Sequence, residues 1–291
     1  MSAAYLVVAA TTVVAATLAS GYFRRFQPMR PPIGVMNLRD VVIMLGAIVA
    51  LPYVYLTLPL WVVAVLFSGA ILGALYFVWE PVLESRARIW TACLLLLGAD
   101  LVLALTRGTT DGGFLLVNNL LLVTVVVGVT NLWAQSGMKA RDVAVLAVGL
   151  AVFDVIATSR LTVMTDLVTR LSGMPLLPVV TWRASGGARG LAIGLGDLLL
   201  ASLFPLVLRK SFGRRAGSVA LVVSVCVIAT MLAVIDLRLV RTPIPAMVVL
   251  GPLMALQYGY WRARRGSERT TLEYLRAEPL PSGTSSEVAP V

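Results

Sequence analysis

With 291 residues, 59% of them hydrophobic and only 13% charged, the chain lies far from a water-soluble domain, whose apolar share is about 45–50%. The net charge of +10 comes from Lys and Arg scattered through short connectors between apolar runs, which is the arrangement of topology signals and argues against nucleic acid as a partner. Histidine is absent, which excludes Ser-His dyads, HExxH zinc sites and imidazole proton relays.

Cys93 and Cys226 stand inside apolar segments, where a thiol behaves as a small hydrophobe, and neither a disulfide framework nor a CxxC metal site is available. Hydrolytic chemistry would have to run on carboxylates or, less readily, on Lys139 or Lys210, with no cofactor and no metal expected. Arginine outnumbers lysine 22 to 2, which associates the chain with a GC-rich prokaryotic genome and so with a prokaryotic plasma membrane.

A bilayer core of about 30 Å takes about 20 apolar residues of helix. Nine segments meet that length, near residues 4–20, 41–57, 60–79, 89–106, 114–133, 142–159, 190–208, 217–236 and 243–261, so the expected fold is an all-α polytopic membrane protein with nine transmembrane helices. The first segment precedes ATLASG, which offers small residues near a cleavage position, but it has no positive n-region and is expected to be retained. The second and third form one apolar block that breaks at Pro59, beside Trp61, because proline cannot continue a helical ladder. Trp79, Trp90, Trp133 and Trp261 fall at span ends and read as an interfacial belt.

Several polar residues interrupt these runs. Asp100 in the fourth span and Asn118 and Asn119 in the fifth approach one end of the bundle; interhelical hydrogen bonding is the first reading and the lining of a wet gate the second. Asp154, in AVFDVIATS, lies about four residues before the end of the sixth span. Asp197, in IGLGDLLLASLFP, lies seven residues after Gly190 at the start of the seventh. A carboxylate at the centre of a transmembrane helix costs roughly 2.5–3.5 kcal/mol. Consecutive spans run antiparallel, so at 1.5 Å per residue these two carboxylates sit roughly 6 and 10 Å below the same end and are able to meet.

Gly190, Gly194 and Gly196 clear one flank around Asp197, and GLAIG has the small-xxx-small spacing of close helix packing. Between the two acids, TVMTDLVT suits either an extended strand, through its β-branched residues, or an amphipathic helix. The last span opens Thr242-Pro243-Ile244-Pro245-Ala246-Met247, where two prolines in three residues leave either irregular backbone under cover of protein or a plain helix start. Asp236, Arg238 and Arg241 cluster as solvated topology determinants, and after Trp261 the composition turns polar and Pro/Ser-rich, as a mobile tail would. Lys and Arg divide 17 to 7 between the two sides of nine spans, which puts the N-terminus outside and the C-terminus in the cytoplasm.

Phe153-Asp154, the tetrad Gly194-Leu195-Gly196-Asp197 and Pro245-Ala246-Met247 resemble, in order and in span number, the YD, GxGD and PAL motifs of the intramembrane aspartyl proteases, which include presenilin and signal peptide peptidase. The likeness is best over residues 153–210 and closer to the signal peptide peptidase branch; the first five spans match only in number and hydrophobicity. Phe153 stands in place of the usual tyrosine, Met247 in place of leucine, and Ile244 where a glutamine commonly precedes the third motif.

The resemblance implies a presenilin-like architecture: N-terminal spans over 1–141, catalytic spans over 142–261 and a disordered cytoplasmic tail over 262–291. It implies that Asp154 and Asp197 are catalytic, with Phe153, Gly194, Leu195, Gly196, Pro245, Ala246 and Met247 in support. Transmembrane peptides or membrane proteins would be the substrates, held unwound as an added strand near the 160–189 loop and the third motif. Two carboxylates about 3 Å apart do not both ionise cheaply, so they share one proton; one then takes a proton from an attacking water while the other gives one to the peptide carbonyl. Two other readings stay open: a proton- or cation-coupled transporter using the same acids, and a prepilin peptidase, also a GxGD protease, which Ile235–Pro245 resembles with its aspartate in the wrong order.

Overall fold

The computed structural model describes residues 2–26, 36–160, 163–171, 173–183, 190–240, 245–270 and 273–274. Among these residues the chain forms α1 (Ala3–Arg25), α2 (Leu38–Thr57), α3 (Leu60–Trp79), α4 (Arg86–Arg107), α5 (Gly112–Gln135), α6 (Ala140–Arg160) and α7 (Val163–Leu171). There follow strands β1 (Val179–Thr181) and β2 (Ala192–Gly194), then α8 (Leu195–Phe212), α9 (Arg214–Asp236) and α10 (Ala246–Arg265). Helices α1 to α5 and α9 are long and apolar enough to cross a membrane. The protein is therefore an all-α protein of membrane-spanning character, with six such helices among the described residues where nine were expected. Helix α8 falls outside that set because its 18 residues include Asp197, Arg209 and Lys210.

Polar residues at the helix ends explain the boundaries. The Ser2 hydroxyl accepts the Tyr5 N–H at the start of α1, and Asn37 and Asp40 satisfy each other's backbone donors at the start of α2. Asp111 accepts the Gly113 N–H and begins α5. Helices α2 and α3 separate at Leu58 and Pro59, where the sequence predicts the break. The carbonyls left open at the end of α2 are taken by Arg170 of α7, which donates to Leu56 and Leu58.

Helix α5 lies at the centre, packed against α1, α3, α4 and α8, and contributes more buried side chains than any other helix besides α8. Helices α8 and α9 turn back on each other through Gly213, whose φ of 96° a side chain would oppose. Helix α10 lies along α6, with α2 on the outer side of α6.

Two boundaries depart from expectation. The seventh span begins at Leu195 rather than 190, because residues 192–194 pair as a strand with residues 179–181; the GLAIG glycines are therefore no helix-packing face. Helix α10 continues through Arg265, and beyond it Glu268, Arg269 and Tyr274 dock on the bundle, so the boundary drawn after 261 falls inside a helix. Glu268 accepts the N–H groups of Ala140 and Arg141 at 2.8 and 3.2 Å, capping α6, and Tyr274 stacks on Phe23 at 5.6 Å. Trp261 is buried, whereas Trp90 is exposed, so only part of the expected belt faces outward. Asp236 accepts from the Ser2 N–H and hydroxyl, tying the end of α9 to the start of α1 instead of standing free in solvent.

Candidate active site

Helices α6 and α8 pack against each other. Asp154 lies six residues before the end of α6 at Arg160; Asp197 is the third residue of α8. Both are half-buried, and Asp154 is near enough for its charge to act on Asp197. Asp197 also stands in the first turn of its helix, where unpaired N–H groups concentrate positive partial charge.

The tetrad Gly194–Asp197 is a strand-to-helix joint. Gly194 is the last residue of β2 and the N-cap of α8, in extended conformation. A β-carbon on Gly194 would stand 3.3 Å from Asp197 Oδ2, so the carboxylate folds back over the strand end. Leu195 is half-buried and donates its N–H to Pro178; Gly196 is exposed, with open space where a side chain would go.

The register of the sheet decides which backbone groups face out. Leu195 N–H bonds to Pro178 and Trp182 N–H to Leu191, so the hydrogen-bonded pairs are 178 with 195, 180 with 193 and 182 with 191. Residues 177, 179 and 181 then turn their polar backbone groups to the outer edge of β1, and Ala192 and Gly194 turn theirs to the outer edge of β2. The outer edge of β2 thus runs directly into Asp197.

On the β1 side the outward groups are met by α5. The Asn118 amide donates to the carbonyls of Leu177 and Val179, at 3.0 and 3.3 Å. Asn119 donates to the Thr181 carbonyl at 2.9 Å and accepts the Thr181 N–H at 3.2 Å. Asp100 of α4, fully buried, accepts the Leu176 N–H at 2.8 Å. These three side chains therefore hold the segment before β2 rather than bonding helix to helix or lining a gate.

Of the third motif, Pro245 N-caps α10 and Ala246 opens it, both half-buried, while Met247 is buried in the same core as Leu198 and Ile193. Pro243 and Ile244 lie outside the described residues. Helix α10 is held close to α6 at Gly251, where a β-carbon would stand 2.6 Å from the Ala147 carbonyl oxygen and 2.8 Å from the Ala151 β-carbon. The motif is thereby set on the helix that carries Asp154. Phe153 is half-buried beside Asp154 and brings a ring without a hydroxyl.

Comparison with protein-family models and with curated proteins finds no match to this chain.

Among the described residues, no three His, Cys, Asp or Glu gather as metal ligands would. Between the acids, the segment that suited either strand or helix forms helix α7, and the strands lie further on at 179–181 and 192–194. Reading residues one span at a time could not find the Asn118 and Asn119 contacts. Their partners lie 59 to 62 residues away, and the only sign was two consecutive amides in an apolar helix.

Proposed function

We propose that this protein is an intramembrane aspartyl endopeptidase, in which Asp154 and Asp197 share one proton and act together on water and a peptide carbonyl. One carboxylate takes a proton from the water as it attacks, the other protonates the carbonyl oxygen, and the tetrahedral species collapses to release two peptide ends. Neither a covalent intermediate nor a metal enters these steps. Helices α6, α8 and α10 are read as three further spans, giving nine in a presenilin-like order.

The observation that carries the reading is the joint at Gly194: the outer edge of β2, its last N–H taken by the Asp197 carboxylate, ends where a second half-buried carboxylate from another helix acts on Asp197. A helical substrate has its carbonyls occupied, so it must unwind before attack; an unwound stretch that adds to the edge of β2 would present its backbone to the acids. In support stand Gly196, which has open space beside Asp197, Leu195, whose N–H bond to Pro178 holds the joint, and Pro245, Ala246 and Met247, which open α10 against α6. Substrates are taken to be transmembrane segments with a cytoplasmic N-terminus, such as signal-peptide remnants, with the enzyme set N-terminus out in a prokaryotic plasma membrane.

The test is cleavage of a labelled transmembrane peptide by the detergent-purified protein, with and without a hydroxyl-bearing transition-state isostere of the aspartyl protease type. Cleavage that the isostere blocks supports the reading. Cleavage that ignores it, or none with any peptide, removes it and leaves ion-coupled transport as the use of the paired acids.

A further inference from the structure

An antiparallel ribbon of two strands has two outer edges, and a third strand joins either one unless something occupies it. Here one is occupied from within. We propose that Asn118 and Asn119, with Asp100, are positioning residues that stand in for a third strand on β1, so that an extended peptide adds only to β2, in the register that ends at Asp197. The inference rests on the proteolytic reading of that site.

The hydrogen bonds carry the argument. Asn119 gives one bond to Thr181 and takes one from it, which is what a residue of a neighbouring strand does across an antiparallel pair. Asn118 covers the two outward carbonyls before it, on Leu177 and Val179. A primary amide supplies two donors and an acceptor on separate atoms without charge. Both asparagines are buried, and their amides meet this backbone.

Asp100 acts one step earlier in the chain. Leu176 has a φ of 59°, a left-handed conformation that a leucine rarely adopts, and the Asp100 carboxyl oxygen holds its N–H at 2.8 Å. This fixes the turn through which the chain enters β1. The task calls for an acceptor and not for a charge, which distinguishes it from a proton-carrying acid.

The experiment uses the full-length protein in detergent and a labelled transmembrane peptide, with steady-state kinetics and mass spectrometry of the product ends. Asn119→Leu is expected to raise KM about tenfold, with kcat changed less than about threefold, because binding loses its edge while the acids stay. Its product ends are expected to spread over neighbouring bonds. Asp100→Leu should spread them likewise, whereas Asp100→Asn, which keeps an acceptor for Leu176, should restore the wild-type ends. If Asn119→Leu does not fold, Asn119→Asp keeps the acceptor for the Thr181 N–H and loses the donor, and displaced ends are expected there too. Wild-type kinetics and ends in a folded Asn119 variant overturn the proposal and leave the protease reading standing. A wild-type protein that cleaves no peptide removes both.

Discussion

The Asp197 carboxylate lies against the strand end it follows: a β-carbon on Gly194 would meet Oδ2 at 3.3 Å, and among the described residues beyond its chain neighbours it would meet only that carboxylate within 4 Å. A methyl group at 194 would therefore push the acid and little else. Gly196, two residues on, faces open space. Gly194→Ala is expected to lower kcat at least tenfold with an unchanged melting temperature, a partial loss of the about 10²–10⁴-fold that a positioned acid or base contributes. Gly196→Ala should cost less than Gly194→Ala in the same peptide assay. Equal losses in the two variants would mean that crowding of the carboxylate is not what matters there.

Helix α10 touches α6 backbone to backbone at Gly251. With a carbonyl 2.6 Å from the added β-carbon, Gly251→Leu must separate the two helices, and overpacking of this kind costs about 1–3 kcal/mol. A fall in thermal stability in detergent is expected, together with loss of cleavage, since Asp154 and the Pro245–Met247 motif ride on the separated helices. A variant that melts like the wild type would show that the contact is not tight.

At the opposite end of the bundle a buried lysine ties α8 to the end of α5 and to the connector that follows it. Lys210 of α8 donates to the carbonyls of Ala134 and Met138 at 2.7 and 2.6 Å, with Glu268 and Asp142 in electrostatic reach. Lys210→Met leaves both carbonyls without that donor, a loss of about 1–3 kcal/mol by the usual cost of an unmade buried hydrogen bond. Ending the chain after Arg265 removes the Glu268 cap on α6 and the Tyr274 stack on Phe23. Both changes should lower the melting temperature. Lys210 follows Asp197 by 13 residues, roughly 20 Å along the helix, so the cleavage position should not move.

The sequence carried the elements that depend on local chemistry and missed those that depend on distant partners. The proline break at Pro59, the long apolar helices and the arrival of Asp154 and Asp197 at one end all follow from spacing and length. The strand at 192–194 does not, because its pairing with 179–181 is a long-range event and GLAIG reads equally well as helix packing. The polarity of the segment 262–291 predicted a free tail, yet of its described residues Glu268 and Tyr274 dock through a helix N-terminus and a ring that lie far away in the chain. Asn118, Asn119 and Asp100 were visible as polar exceptions, but their use was not, since their bonds go to the backbone of β1 and the turn before it rather than to other helices.

The charge count predicts an N-terminus outside the cell, and cysteine labelling tests that orientation. In a protein with Cys93 and Cys226 replaced by alanine, a cysteine at the exposed Asp166 of α7 should react with an impermeant maleimide from outside the cell. A cysteine at the exposed Arg264 should react only after the membrane is opened. The reverse pattern would invert the topology and, with it, the substrate orientation.

The central claim is that Asp154 and Asp197 work as one unit, and the most direct measurement is peptide cleavage by the wild type, Asp154→Asn and Asp197→Asn, purified side by side and matched for melting temperature. The expected result is loss of about 10³-fold or more in each single variant, with no further loss in the double variant, because either substitution removes the shared proton chemistry. Cleavage at the wild-type rate by either folded single variant would contradict the account.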